Sequence, residues 1–276
     1  MTTHGPSVLR RAFRKANRIT TRARDRFRGL PLRKAEIQQG RPIPPGRLIY
    51  LVANTEDVSW YLETGALAAR SIREILSKNG LAIEGFARIL DFGCGVARVI
   101  RQWQDLRGPQ LFGTDYNPRL IDWCQANLTY ANFDTNSLDQ PLDKADGSFD
   151  FIYCLSVFTH LSEPLQQFWM DELFRVLSPG GYLLITTHGD HYLPMLTIEE
   201  QKNYREGHAV VQKTNREGSN DCAAFHPVSF VKESLAKKYE VIDFLPEGAL
   251  GNPSQDLYLL RRPLESSPCT VAMKST

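Results

Sequence analysis

The 276-residue chain lacks the features that mark membrane, disulfide-bonded or metal-binding proteins. No apolar run approaches the roughly 18 residues that a membrane-spanning helix needs. The five cysteines, at positions 94, 124, 154, 222 and 269, include no C-x-x-C pair. The absence of such a pair argues against zinc-ribbon and iron–sulfur sites, and an odd cysteine count without a secretory signal favours a reducing, cytoplasmic compartment.

The net charge of +2 combines a basic arm with an acidic body. Residues 1–34 contain eleven Lys or Arg and one acid, whereas the rest of the chain carries −8. Apolar residues recur every three or four positions from Leu9 to Leu30, which predicts an amphipathic helix. Such a helix suits contact of residues 8–34 with an anionic membrane surface, a targeting peptide, or docking on nucleic acid. A solvated arm is an equally good interpretation, and membrane contact is the preferred functional one.

The body is predicted to be one domain at 48–263, preceded by the arm and a proline-rich linker at 1–47. Helices are predicted at 56–62, 65–79, 100–103, 118–128, 162–177 and 230–237, and the fourth of these begins with Asn117 as its N-cap and Pro118 in its first turn. Strands are predicted at 87–90, 110–115, 132–135, 149–155, 182–187, 239–245 and 256–261, the last antiparallel. Residues 190–226 are predicted to be an irregular insertion that covers a substrate as a lid, and residues 264–276 a disordered tail.

The first strand leads into a glycine turn, Asp91-Phe92-Gly93-Cys94-Gly95. Glycine at such a turn lets the backbone approach a bound small molecule, and a following helix can direct its N-terminus at the ligand. The second strand ends on Asp115, where a carboxylate can accept hydrogen bonds from ribose hydroxyls. Because ligands of parallel sheets bind beyond the carboxyl ends of the strands, the sequence predicts a nucleoside site there.

Five segments, at 89–95, 113–115, 148–150, 155–161 and 175–181, resemble the motifs of class I S-adenosylmethionine-dependent methyltransferases. The resemblance implies a doubly wound, Rossmann-like α/β fold with three αβα layers. Its sheet has seven strands in the order 3-2-1-4-5-7-6, with strand 7 antiparallel. The resemblance also implies S-adenosylmethionine as the cofactor.

The resemblance assigns the cofactor to residues at the strand ends. Gly93 and Gly95 would admit the methionine part, Asp91 would hold its amino group, and Asp115 would bind the ribose. Asn136 stands where the family usually has an acid beside the adenine, and its side-chain oxygen can still accept a hydrogen bond. The predicted cofactor-binding residues are Asp91, Gly93, Cys94, Gly95, Asp115, Tyr116, Asn136, Leu138 and Leu155. Outside this series, Asp91 would be only a helix-capping acid and Tyr116 only a core aromatic.

His160, after the fourth strand, is the predicted general base, because its ordinary pKa suits neutral pH. The alternative is a histidine that bonds the backbone and shapes the pocket. His188, Tyr192 and His226 are predicted substrate contacts. His188, His191, Cys222 and His226 have the right atoms for zinc, but the two pairs are far apart, so no metal is predicted.

The predicted function is methyl transfer to a small molecule or a lipid-linked biosynthetic intermediate, at oxygen. Residues 153–156 are Tyr-Cys-Leu-Ser, not the D/N-P-P-Y of enzymes that methylate amide or nucleic-acid nitrogens. The acidic body also argues against a nucleic-acid partner. The alternatives are an RNA methyltransferase anchored by the arm and a non-catalytic S-adenosylmethionine-binding regulator, and the oligomeric state is open.

Overall fold

The computed structural model describes residues 36–38, 41–252 and 254–264. The predicted amphipathic arm and the predicted tail beyond residue 264 lie outside the described residues. Strands β1 (Glu36–Gln38) and β2 (Arg41–Ile43) form a small antiparallel ribbon. Helix α1 (Gly46–Ala53) follows directly, so the predicted proline-rich linker before residue 48 contains an edge strand and the first residues of a helix. Pro42 is tolerated because the ribbon has only edge strands, and Pro45 precedes the first helical turn.

Helix α2 (Val58–Lys78) is continuous, where the sequence predicted two helices. The Asp57 side chain accepts hydrogen bonds from the Ser59 and Trp60 N–H groups, which caps its start. Gly65, expected at a helix boundary, lies inside this helix. Glycine is needed there because a Cβ would collide with the backbone oxygen of Arg98. The helix therefore packs closely on the segment that follows the glycine turn.

The central sheet has seven strands in the order β10-β11-β7-β6-β3-β4-β5. They are β3 (Arg88–Phe92), β4 (Gln110–Asp115), β5 (Asn132–Thr135), β6 (Phe149–Cys154), β7 (Leu177–Thr187), β10 (Glu240–Leu245) and β11 (Asp256–Arg261). Strand β11 runs antiparallel to both of its neighbours, and the pairs β3–β4, β3–β6, β4–β5 and β6–β7 are parallel. Counted within the sheet, this is the predicted order 3-2-1-4-5-7-6, which is confirmed.

Helices cover both faces of the sheet. Neighbouring residues of β3 point to opposite sides, so Ile89 belongs to the apolar cluster under α1 and α2, whereas Leu90 belongs to the cluster on the other face. Helix α3 (Pro118–Asn127) begins at the Asn117 cap, and α4 (Glu163–Val176) supplies Trp169 to the second cluster. The three-layer architecture is thus the predicted one.

Two predicted helices are not α-helices over their length. Ile100–Trp103 is a single 3-10 turn, so the segment that follows the glycine turn does not present an α-helix N-terminus to it. The predicted helix at 230–237 consists of the short helix α6 (Val228–Phe230) and a π turn at Val231–Leu235. Within the described ranges, no helix is long and apolar enough to cross a membrane.

The insertion at 190–226 has regular structure, contrary to the prediction. It contains helix α5 (Ile198–Arg205), strands β8 (Val210–Gln212) and β9 (Ala223–Phe225), and two 3-10 turns, at Asp190–Met195 and Thr214–Arg216. Strands β8 and β9 pair, and they form a small apolar core with Leu196 and Tyr204. Polar composition concealed this unit because its core needs only a few apolar side chains.

Candidate active site

A cavity of about 790 Å³ opens where strands β3, β4 and β6 end. Sites for small molecules typically measure roughly 300–1,000 Å³. Eleven predicted site residues line the cavity: Asp91, Gly93, Cys94, Gly95, Asp115, Tyr116, Asn136, Leu138, Leu155, His160 and His188. We call the strand-end part of its wall (91–95, 115–120 and 155–161) the floor, and the part formed by 51–54, 215–221, 251, 252 and 255 the cover.

The glycine turn of the floor needs both glycines. Gly93 has φ +77° and Gly95 φ +56°, conformations that L side chains rarely adopt. A Cβ on Gly93 would also collide with the Val157 side chain, and one on Gly95 would lie 2.9 Å from a methyl group of Val52. The N–H groups of Gly93 and Cys94 donate to the Thr114 carbonyl, which fixes the turn against β4.

Asp115 is positioned by the same turn. Its two carboxylate oxygens accept hydrogen bonds from the Gly95 N–H, at 3.0 Å, and the Asn117 N–H, at 2.9 Å. Burial raises its pKa to about 6, against the lowering effect of these two bonds. A carboxylate has about four acceptor positions, so two bonds leave capacity for a pair of ribose hydroxyls.

Asp91 has a carboxylate oxygen, Oδ2, that is buried and has no hydrogen-bond partner. Burial raises its pKa to about 7, although a hydrogen bond from Tyr153 and the charge of Arg98 act in the opposite direction. A buried acceptor without a partner is costly, and an ammonium group would satisfy it. This atom therefore fits the amino group of the family's cofactor.

One part of the cavity wall is partly apolar and contains Tyr116, Leu138 and Gly218. Tyr116 is 38% exposed, and a Cβ on Gly218 would lie 3.0 Å from Leu138 and 3.3 Å from the Tyr116 ring. Asn136 Oδ1, the atom predicted to accept from adenine, already accepts from the Thr114 hydroxyl at 2.8 Å. Its role toward adenine stays a prediction that depends on the second lone pair.

His160 lies in the floor with a defined tautomer. Its Nδ1 is 2.8 Å from the carbonyl oxygen of Cys222. A carbonyl can only accept, so Nδ1 carries the proton and the lone pair of the neutral ring lies on Nε2. The backbone bond predicted for a structural histidine is thus present, and the same bond prepares Nε2 to act as a base.

The three predicted substrate contacts occupy different places. His188 lines the cavity, with Nδ1 3.1 Å from the Ala224 carbonyl, and burial holds its pKa well below the usual range. Tyr192 packs on the His188 ring, with centroids 4.3 Å apart, and stands behind the cavity wall. His226 is completely buried, with Nε2 3.0 Å from Gln166 Oε1. The structure therefore does not bring Tyr192 or His226 to the cavity as direct contacts.

The residues that the sequence did not indicate belong mainly to the cover. Asn220 Nδ2 donates to Asn54 Oδ1 at 3.2 Å, and the Glu217 carboxylate accepts from the Ser162 N–H at 3.0 Å. These bonds hold the insertion over the floor. No sequence motif marks the residues of the cover.

Among the described residues, no group of three or more His, Cys, Asp or Glu is placed to hold a metal ion.

A second unpredicted group surrounds Ser156, at the floor end of β6. Ser156 has φ +59°, an uncommon conformation for a residue with a side chain. Its N–H donates to the Thr186 hydroxyl, and its Oγ accepts from Gln255 Nε2 at 2.8 Å. A strained residue at a strand end is a signal that dihedral angles give and sequence does not.

Comparison with known proteins identifies relatives of the domain that contains this cavity. Residues 90–185 match the family model of a methyltransferase domain. A malonyl-[acyl-carrier protein] O-methyltransferase of Enterobacter lignolyticus is 30% identical over 139 residues, which is 49% of this chain and 52% of that protein. A tRNA N(3)-cytidine methyltransferase of Gallus gallus is 25% identical over 123 residues, 41% of this chain and 33% of that protein. The chain thus spans about half or less of the length of these two relatives.

A crystal structure of an S-adenosylmethionine-dependent methyltransferase from Mesorhizobium loti superposes with a TM-score of 0.53 at 19% identity, covering 70% of this chain and 98% of that one. At this identity the likeness concerns the fold. Sheet order, motifs and family match together define a methyltransferase domain of the Rossmann-like type. Residues 90–185 therefore match the family of methyltransferase domains, and the sheet that contains them has the fold of S-adenosylmethionine-dependent methyltransferases.

Proposed function

We propose that this protein transfers a methyl group from S-adenosylmethionine to an oxygen atom of a small molecule or of a lipid-linked biosynthetic intermediate. The observation that carries the proposal is a single cavity that contains the glycine turn, Asp91, Asp115 and His160. The cofactor, when bound, supplies a methyl group on a sulfonium, which an acceptor displaces in line.

The chain's own residues then have separate tasks. The turn at Gly93 and Gly95 admits the methionine part, Asp91 Oδ2 accepts from its ammonium, and Asp115 accepts from the ribose. His160 Nε2 takes the proton of the acceptor hydroxyl as the oxygen attacks the methyl carbon and the carbon–sulfur bond breaks. The cover limits the access of water and holds the acceptor.

Two observations support a small acceptor. The cavity volume is that of a small-molecule site, and the cover supplies part of the cavity wall. The relatives include a malonyl-[acyl-carrier protein] O-methyltransferase and a tRNA N(3)-cytidine methyltransferase, so their names do not decide between these acceptors. The net charge of −8 outside the arm opposes broad nucleic-acid contact. An RNA methyltransferase anchored by residues 1–34 remains the alternative, and contact of residues 8–34 with a membrane surface remains a proposal.

The test uses radiolabelled cofactor, purified protein and an extract of the host. We expect labelled product in the small-molecule or lipid fraction, and label in RNA would favour the alternative. Asp115→Ala should abolish cofactor binding in calorimetry. Binding of wild-type protein without labelled product would favour a non-catalytic regulator, and absence of binding would refute the proposal.

His160→Asn separates the two roles of the histidine. The Asn side-chain amide can keep the hydrogen bond to the Cys222 carbonyl but provides no base. We expect turnover of the identified acceptor to fall about 100-fold with cofactor affinity within about twofold of wild type. Unchanged turnover would leave His160 with a structural role alone.

A further inference from the structure

We infer that Arg98 is a carboxylate-binding residue of the cavity, which receives the amino-acid carboxylate of the cofactor or a carboxylate of the acceptor. The inference rests on the proposed function and adds a residue outside the predicted set. Arg98 follows the glycine turn, is 9% exposed and lines the cavity.

Arg98 is a buried cation without a buried counterion at contact distance. Among the residues that the structure describes, no carboxylate lies within 4 Å of its guanidinium. Burial lowers its pKa, although the charge of Asp91 opposes this. A buried charge is expensive unless it is paired, so the site favours an anionic ligand.

Neutral groups hold the guanidinium in a fixed orientation. Its Nη1 donates to the Gly251 carbonyl at 3.0 Å, and its Nη2 donates to Asn252 Oδ1 at 2.9 Å. The guanidinium also lies over the Trp60 ring, 5.7 Å from the centroid. A guanidinium has five donors, so these two bonds leave three, enough for a bidentate carboxylate.

Asp91 indicates which carboxylate is favoured. Asp91 and Arg98 line the same cavity, and each carries a charge that no described residue neutralises by direct contact. The unpaired oxygen of Asp91 and the oriented guanidinium of Arg98, in one cavity, together match a ligand that carries both a positive and a negative group. The amino-acid end of S-adenosylmethionine is one, with an ammonium for Asp91 and a carboxylate for Arg98. An acceptor carboxylate would use Arg98 alone.

Arg101, three residues later, is a matched control. It is 5% exposed, donates to the Tyr61 hydroxyl at 3.3 Å and lies over the Tyr61 ring at 5.4 Å. Unlike Arg98, it does not line the cavity. Both residues are therefore buried arginines on an aromatic ring, and only one faces the ligand space.

The experiment is calorimetry on the full chain with two probes, S-adenosylhomocysteine and 5′-methylthioadenosine, which lacks the amino-acid end. Arg98→Gln should weaken S-adenosylhomocysteine by about 10- to 100-fold, because a charge-assisted hydrogen bond is lost. Its affinity for methylthioadenosine should stay within about twofold, which also shows that the variant folds. The affinity for S-adenosylhomocysteine should fall less in Arg98→Lys and less still in Asn252→Ala. It should be unchanged in Arg101→Gln.

A second arm tests the acceptor as the source. If S-adenosylhomocysteine binds Arg98→Gln as tightly as wild type, malonate is titrated into protein loaded with S-adenosylhomocysteine. If malonate binds the wild-type protein but not Arg98→Gln, Arg98 receives a carboxylate of the acceptor. If the substitution changes neither the affinity for S-adenosylhomocysteine nor that for malonate, the inference is overturned. If wild-type protein binds neither nucleoside, the proposed function itself fails, and the inference with it.

Discussion

The floor and the cover of the cavity are held in place by different forces. In the floor, backbone groups set the geometry: the amides of Gly93 and Cys94 bond β4, and Asp115 accepts from two backbone amides. In the cover, side chains make links such as Asn220 to Val52 of helix α1 and Asn252 to Arg98, beside one backbone bond from the Gly218 N–H to the His160 carbonyl. A substitution in the floor should therefore abolish binding, whereas one in the cover should change its rate or its selectivity.

This difference also assigns the chemistry. Backbone geometry is common to many sequences, so the floor suits a ligand that is common to a family. Side-chain links differ from one sequence to the next, so the cover suits the acceptor that distinguishes this protein. Asp91 belongs to the floor, and Arg98 connects the two parts, since it follows the glycine turn and reaches the loop before β11.

The largest expected effect is that of Gly93→Ala in the floor. The new Cβ would combine a φ of +77° with a collision against Val157, so we expect affinity for S-adenosylhomocysteine to fall more than about 100-fold and stability by about 2 kcal/mol. Gly80→Ala is the control, because its φ is +72° but no atom lies within 4 Å of the added Cβ. Gly80→Ala should cost about 1 kcal/mol in thermal unfolding and leave affinity unchanged. Equal affinities of both variants would show that the turn does not admit the ligand.

The floor was predictable from sequence because motif residues and strand periodicity determine it. Strand β4 and the Asn117-Pro118 helix start were predicted to the residue, since an apolar run and a cap mark them. Every predicted cofactor residue lines the cavity for the same reason. The sequence predicted two helices where α2 is one continuous helix, because Gly65 resembles a helix end. Glycine is needed at this position because the helix packs closely against the Arg98 backbone.

The cover was not predictable, because its contacts join segments far apart in the chain. Asn220 meets Asn54 across 166 positions, and Arg98 meets Asn252 across 154. Neither pair belongs to a periodic pattern. His226 illustrates the converse error, since a histidine in a polar insertion suggested a ligand contact but is fully buried in the structure.

The next effect in size concerns pH and Asp91. Its pKa in the folded protein is about 7, raised by burial above the ordinary 3.8. The folded state thus binds the proton more tightly than the unfolded state, and this stabilising contribution is lost as pH rises from 3.8 through 7. Cofactor binding needs the ionised form, so affinity for S-adenosylhomocysteine should increase about tenfold from pH 6 to pH 8.

Asp91→Asn tests that assignment. The neutral amide avoids the burial cost of a charge, so the variant should be at least as stable as wild type at pH 8 in thermal unfolding. It should nevertheless bind S-adenosylhomocysteine about tenfold more weakly, with the pH dependence between 6 and 8 reduced. A pH profile identical to wild type would assign the titration to another group, of which Asp115, with a pKa of about 6, is the first to test.

The smallest expected effect is that of Asn220→Ala in the cover. The variant loses two long hydrogen bonds, to Asn54 Oδ1 at 3.2 Å and to the Val52 carbonyl at 3.3 Å, which together contribute about 1 kcal/mol. These bonds tie the segment 215–221 to residues 52 and 54 and involve none of the predicted cofactor-binding residues. Dissociation of S-adenosylhomocysteine should therefore accelerate about fivefold in stopped-flow displacement. Hydrogen exchange of the Gly218 amide, which donates to the His160 carbonyl, should accelerate with it.

Asn127→Ala is the matched control for Asn220→Ala. Asn127 donates a comparable side-chain bond to the Trp123 carbonyl at the end of α3, away from the cavity. Its loss should cost a similar amount of stability and leave both dissociation and Gly218 exchange unchanged. If both variants accelerate dissociation equally, general destabilisation is the cause. If Asn220→Ala accelerates exchange but not dissociation, the cover opens without controlling the cofactor, and its contacts serve the acceptor alone.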